Sequence, residues 1–138
     1  MTWVKKGHIY KPAGDIKWSR SHAQIPVPMI LNDNTVRVFF STRDDKGRCR
    51  PGSVDLDAHN LTHVKAVAES PYWDLGRPGT FDQNGVMPAS IVCRDEKVFM
   101  YYVGWTPGVI TSYHLAAGLA ISQDHGQTFS KPYAGPVM

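Results

Sequence analysis

The sequence has only two cysteines, Cys49 and Cys93, and neither stands in a CxxC pair or beside other metal-ligating residues. That argues against a disulfide framework of the small secreted kind and against zinc-finger spacing; no metal and no cofactor are expected. The two thiols could pair with each other, but free thiols are the default. No apolar stretch approaches the length of a membrane span, and the opening MTWVKKGHIYKP lacks the hydrophobic core of a signal peptide. A cytoplasmic protein without a membrane partner is the expectation. Charge of one sign is also scarce. Lys and Arg number 15 against 12 Asp and Glu, a formal charge of +3, and the densest basic stretch, Arg43 to Arg50, also holds Asp44 and Asp45. A nucleic-acid partner would require a more concentrated cationic face.

What is present is ordinary globular material: 42% hydrophobic and 20% charged residues in a chain of 138, room for one domain with its own core. The 12 glycines and 10 prolines are scattered between short apolar runs rich in β-branched and aromatic residues. The clearest runs are IPVPMIL (25–31), TVRVFFST (35–42), MPASIVC (87–93), KVFMYYVGW (97–105) and HLAAGLAIS (114–122). Between them stand NDN, RDE and glycine-bearing turns, the punctuation of antiparallel hairpins. Only 114–122, with its Ala-Ala-Gly centre, has a helix as a local rival.

A repeat decides for a strand there. Placing Pro26 over Pro88, an offset of 62, sets Ile25 on Met87, Asp33 on Asp95, Val36 on Val98, Phe39-Phe40 on Tyr101-Tyr102 and Arg43 on Trp105. After four extra residues in the second copy, Gly52 meets Gly118, His59 meets His125 and Thr62 meets Thr128. Each copy reads as four strands joined by tight turns, the plan of a β-propeller blade. TWVKKGHIYKP (2–12) is similar to TFSKPYAGPVM (128–138), which predicts that both are outermost strands. The expected fold is all-β: a partial β-propeller of two four-stranded antiparallel blades plus an extra N-terminal outer strand. The expected divisions are 1–20 for that strand and a linker, 21–76 for blade one, and 77–138 for blade two.

WSRSHAQIPVPMILNDNTVRVFFSTRDDKGR, GTFDQNGVMPASIVCRDEKVFMYYVGW and GLAISQDHGQTF together resemble the five-bladed β-propeller glycosidase superfamily. Its members include arabinanases, β-xylosidases, invertases and mannoside phosphorylases, and the nearest likeness is to uncharacterised bacterial glycosylase-like proteins. The resemblance covers nearly the whole chain but only the first two blades. It implies carbohydrate as the ligand, and two open blades imply self-association into a homo-oligomer, because unpaired edges and bare sheet faces are otherwise a liability. SQDHGQTF (122–129) fits the Asp-box pattern of propeller blades. In that reading Ser122 and Asp124 accept turn amides, Gly126 takes the positive-φ position, Thr128 closes the turn and Phe129 packs beneath it. Ser, Asp and His strung along one hairpin would not converge as a nucleophile, base and orienter must.

Glycoside cleavage needs two facing carboxyl groups. In the resembling families these acids stand at the central funnel, ahead of the innermost strands, which points to Asp82 in FDQNGVMP. By the 62-residue offset its first-blade counterpart is Arg20, with His22 and Gln24 nearby in SRSHAQIP. The families place an aspartate there, so His22 would have to act as base or sugar ligand, and the general acid expected from a third blade has no counterpart here. Glu69, in an expected outer strand, and Glu96, in a hairpin turn, are poor substitutes. Asp82 and His22 are therefore the catalytic candidates of a chain that lacks a complete carboxylate pair, with turn capping the rival role for Asp82. Gln24, Arg43, Asp44, Asn84, Trp105 and His114 are the candidates for sugar binding; Tyr113 adjoins the last, and His59 and His125 read as surface residues. A non-catalytic binding or assembly module, or a fragment without independent activity, is the alternative to an enzyme.

Overall fold

The computed structural model describes residues 2–138. Seven strands form one open sheet: β1 (Ser21–Asn32), β2 (Thr35–Arg43), β3 (Cys49–Asp57), β4 (Asn60–Val67), β5 (Gly85–Arg94), β6 (Lys97–Pro107) and β7 (Tyr113–Ser122). The strands β1 to β4 make one antiparallel meander and β5 to β7 a second. Among the described residues, strand pairing between the two meanders is a single parallel bridge, Cys49 with Gly85. Two blades pack face to face, as the all-β partial propeller expected from the sequence requires. No described residue is helical, so no helix is long and apolar enough to cross a membrane.

The repeat holds where hairpins fix the register. Asn32 pairs with Thr35 and Arg94 with Lys97, so Asp33-Asn34 and Asp95-Glu96 are equivalent turns. Asp95 and Glu96 both have positive φ, 50° and 63°, the backbone of a two-residue turn whose twist matches the strands. Phe40 faces Gly52 and Tyr102 faces Gly118. The glycine at 118 is required by a close approach, since a Cβ there would run into the Tyr102 ring.

One face of each strand carries the junction between blades. Met29 and Phe39 from blade one meet Val98 and Met100 from blade two, with Tyr72, Trp73, Ile91 and Phe129 around them. Phe39, Tyr72 and Phe129 form a cluster with ring centroids 5.1–5.7 Å apart, two of the three pairs edge-on. Polar ties cross the same junction: Arg37 Nη1 donates to the Gly126 carbonyl at 3.0 Å, and Ser41 Oγ to the Val86 carbonyl at 3.3 Å.

Two outer strands differ from the sequence reading in detail. After Ser122 the chain turns and pairs back along β7 through an Ile121–Ser130 bridge and through Val137 and Met138, which bond to Ala117. The fourth position of blade two is thus occupied by a segment of separate contacts, because Pro132 and Pro136 lack the donors a continuous ladder needs. Residues 2–13 form no strand. Instead Tyr10 lies on Phe40, ring centroids 5.3 Å apart, against the outer face of blade one formed by Phe40, Val54 and Leu56.

Candidate functional site

The innermost strands β1 and β5 begin at the same end of the molecule as the β2–β3 loop (44–48). The start of β1 is distorted. Register shifts lie between Ser21 and Gln24 and between Gln24 and Val27, and His22 and Ile25 have φ of 65° and 54°. Positive φ is a steric outlier for a β-branched residue such as Ile25. These bulges move the repeat. Ser21 faces Arg43 where Gly85 faces Trp105, and the amides of Arg20 and Asn84 donate to the carbonyls of those same two residues. By that count Trp18, not Arg20, stands where Asp82 does.

Asp82 and His22 are not brought together. His22 is exposed, with Nδ1 2.8 Å from its neighbour Ser21 Oγ. Asp82 is 2% exposed and fully engaged: Lys131 Nζ lies 2.8 Å from Oδ2, Tyr102 donates its hydroxyl to Oδ2 at 3.2 Å, and Thr80 donates to Oδ1 at 2.8 Å. Burial alone would raise its pKa, but Lys131 and the hydroxyl donors outweigh burial and hold it below the usual carboxylate range. Tyr102 is pushed the other way, by burial and by the Asp82 charge.

The β2–β3 loop builds a different centre. Asp44 is 6% exposed, and its Oδ1 accepts the amides of Lys46 and Arg48 at 2.9 Å each. Oδ2 accepts Arg48 Nη2 at 2.8 Å and Arg50 Nη1 at 2.9 Å. Arg50 Nε then reaches Asp74 Oδ1, 2.7 Å away, on the connection between blades. Burial raises the Asp44 pKa, yet the amides and guanidinium groups more than offset it and the carboxyl sits low. Asp74 is lowered in the same way, by the Leu75 amide and Arg50 against desolvation.

This ion cluster divides two adjoining pockets. One, of about 550 Å³, is lined by Trp18, Arg20, Asp44, Arg48, Arg50 and Asp74, among others. The second, of about 340 Å³, shares Arg48, Arg50 and Asp74 and reaches Gln83 and Asn84. Of the sequence candidates, Asp44 lines the first pocket and Asn84 the second, on opposite sides of the cluster. Gln24 is half-buried, its amide 3.7 Å from Met87 Sδ and 3.9 Å from Cys49 Sγ. Arg43 Nε is buried with no partner among the described residues. Trp105 lies against Gly85, where a Cβ would overlap its indole. His114 is exposed opposite Thr106. Glu96 is exposed in its hairpin turn, and Glu69 lies beyond β4, its carbonyl accepting the Trp18 indole N–H at 3.2 Å. Cys49 is buried and Cys93 exposed, both free. No metal-ligand cluster exists among the described residues. Trp18, Arg48, Arg50 and Asp74 were not among the sequence candidates for the site, although the stretch Arg43 to Arg50 with Asp44 and Asp45 stood out as a charge pattern.

In the turn 122–129, Ser122 Oγ accepts the Gly126 amide at 2.7 Å and donates to Asp124 Oδ1 at 2.7 Å. Asp124 Oδ1 accepts the amides of Gln127 and Thr128 at 3.1 and 2.9 Å, and Oδ2 accepts the Thr128 hydroxyl at 2.6 Å. The Thr128 bonds, first the hydroxyl and then the amide, lower the Asp124 pKa to about 2. Gly126 has φ 80°.

Solved structures share the fold. A family 117 glycoside hydrolase of Zobellia galactanivorans matches with a TM-score of 0.66 at 18% identity, covering 90% of this chain and 36% of that one. A glycosyl hydrolase from Bacteroides ovatus gives 0.68 at 16%, covering 89% and 38%. Over most of its length the chain shares the fold of these glycoside hydrolases. A structure from the GH130 family of mannoside phosphorylases, which contains hydrolases that target β-1,2 mannosidic linkages in Candida mannan, gives 0.66 at 17%, covering 94% and 39%. No protein-family profile matches the chain. Uncharacterised proteins from two strains of Mycobacterium tuberculosis are 36% identical over all 138 residues. The chain spans 46% of the length of those relatives.

Proposed function

We propose that the chain binds carbohydrate at the pocket between Trp18 and the Asp44–Arg50 cluster. The observation that carries this reading is the pocket itself: about 550 Å³, at the end of the blades where the inner strands begin, with an indole and several fixed donors on its wall. Apolar ring faces with a few convergent polar groups are what a saccharide needs. The fold shared with glycoside hydrolases supports the same ligand class. Binding is favoured over hydrolysis because a general acid needs a raised pKa. Asp44, Asp74 and Asp82 are all lowered and all committed to cations. The turn 122–129 is read as an Asp-box on its hydrogen bonds, a structural device and not a site.

Titration calorimetry against a panel of neutral and acidic oligosaccharides tests this. Saturable binding to at least one is expected, weakened about tenfold or more in Trp18→Ala, since stacking on an indole is a kcal-scale contact. Circular dichroism separates lost affinity from lost fold. Absence of binding across the panel at millimolar saccharide would overturn the reading.

A specific observation favours self-association as a second property. The outer face of blade two presents Phe99, Tyr101, Val103, Ala117, Leu119 and Ile121 side by side, with Tyr101 40% exposed. By the repeat, Tyr101 occupies the position of Phe39, the residue through which blade one packs on blade two. Light scattering is expected to give a mass above 15.4 kDa that falls to the monomer in Tyr101→Lys. A monomeric parent chain would remove the idea.

A further inference from the structure

The charge balance of the pocket goes further than its shape. Its wall carries Lys17, Arg20, Arg48 and Arg50 against Asp44, Asp45 and Asp74. Asp44 is consumed by two guanidinium groups and two amides, so it offers nothing to a ligand. Arg50 is the pre-organised member: its side chain is 12% exposed, Asp44 holds Nη1 and Asp74 holds Nε, which leaves Nη2 without a protein partner among the described residues. Arg20 donates Nη1 to the Gly14 carbonyl at 2.5 Å, and neither Arg20 nor Lys17 meets a carboxylate. Of the three acids on this wall, the exposed Asp45 is the one without an ion pair among the described residues.

We infer that the saccharide taken at this pocket is anionic, with its acidic group held by Arg20, Arg48 and Arg50 beside the Trp18 indole. The inference rests on the carbohydrate-binding reading above and names the substrate class of that same site. Hydroxyl groups make only neutral acceptors for guanidinium donors, whereas a carboxylate or phosphate forms charge-assisted bonds about twice as strong, two at a time with a planar fork. A guanidinium fixed by two acids loses little side-chain entropy on binding. The carboxylates already present then act as a filter on orientation, because an acidic group placed toward Asp45 or Asp74 is repelled.

The test compares four probes by calorimetry at low and moderate salt: trigalacturonate, glucose 6-phosphate, neutral galactotriose and inorganic phosphate. At least one acidic saccharide is expected to bind about tenfold more tightly than galactotriose, the value of one charge-assisted contact. The advantage should shrink as salt rises, and inorganic phosphate should bind more weakly than the acidic saccharide. Which acidic saccharide wins tells carboxylate from phosphate. Arg20→Gln and Arg48→Gln, on accessible side chains, should each bring the ratio of acidic to neutral affinity most of the way to one, whatever they do to galactotriose itself. Equal affinity for acidic and neutral saccharides overturns this inference and leaves carbohydrate binding standing. An acidic preference untouched by both substitutions overturns the placement, and inorganic phosphate binding as tightly as the saccharides overturns the saccharide character. Failure of every probe removes this inference together with the reading beneath it.

Discussion

Arg37→Ala is expected to lower the unfolding free energy by about 3 kcal/mol, the low end for breaking a buried ion pair because some solvent reaches this one. Arg37 is 9% exposed on β2 and binds Asp55 on β3 through two parallel bonds, Nε at 2.7 Å and Nη2 at 2.8 Å. Its third donor reaches the Gly126 carbonyl in blade two. Alanine therefore removes a strand pair contact and an inter-blade tie at once, and leaves the Asp55 carboxylate without its cation at 18% side-chain exposure. Arg37→Lys should recover only part, since an ammonium cannot make the fork and reach Gly126 together. The double variant Arg37→Met with Asp55→Leu should be much closer to the parent, because the cost lies in the orphaned charge more than in the pair. Urea unfolding of the four proteins measures this. A loss below about 1 kcal/mol for Arg37→Ala, the range of exposed pairs, would show the tie to be solvent-screened.

Hairpin chemistry explains how much of this was legible in advance. Register in a two-residue hairpin follows from the turn, so NDN and RDE fixed the pairing of Phe39 and Tyr101 with their partner strands. Gly52 and Gly118 fell opposite aromatics as the offset required. The offset failed at the start of β1, where His22 and Ile25 adopt left-handed backbone that no local preference calls for. Two residues are absorbed there, and the partner assigned to Asp82 moved with them. The resemblance of 2–12 to 128–138 was a likeness of composition. One segment bonds to β7 while the other rests on Phe40, and what separates them is the surface each can reach. The ion cluster was harder still. Asp44, Arg50 and Asp74 come from a loop, a strand and the connection between blades, and the Asp82–Lys131 pair spans 49 residues. Such partners are set by the fold and leave no periodic trace in the sequence.

Asp82→Asn is expected to cost about 2 kcal/mol at neutral pH, in the range of one lost hydrogen bond to a charged group, while leaving saccharide affinity at the Trp18 pocket intact. The substitution keeps the shape but removes the charge that faces Lys131, and it turns an acceptor toward the Thr80 or Tyr102 hydroxyl into an amide donor. Lys131 keeps a side chain 26% exposed and can turn its ammonium to water, which limits the damage. Asp82→Ala should cost more, since Tyr102, buried and held protonated, then loses its acceptor altogether. The dependence on pH carries a definite sign. Asp82 titrates lower in the folded chain than its ordinary value, so its contribution is complete above about pH 4 and is lost as pH falls through the folded value. The gap between parent and Asp82→Asn should therefore be constant from neutral pH down to about 4 and narrow below it. A constant gap down to strong acid would mean that the carboxylate is not the stabilising form. A variant as stable as the parent that had lost a glycoside-cleaving activity would overturn the structural role, because it would place at a reacting centre a carboxylate that here is sealed beneath Lys131 and Tyr102. The two readouts cannot be confused. One follows the fold of blade two, and the other follows a ligand on the far side of the Arg48–Asp74 cluster.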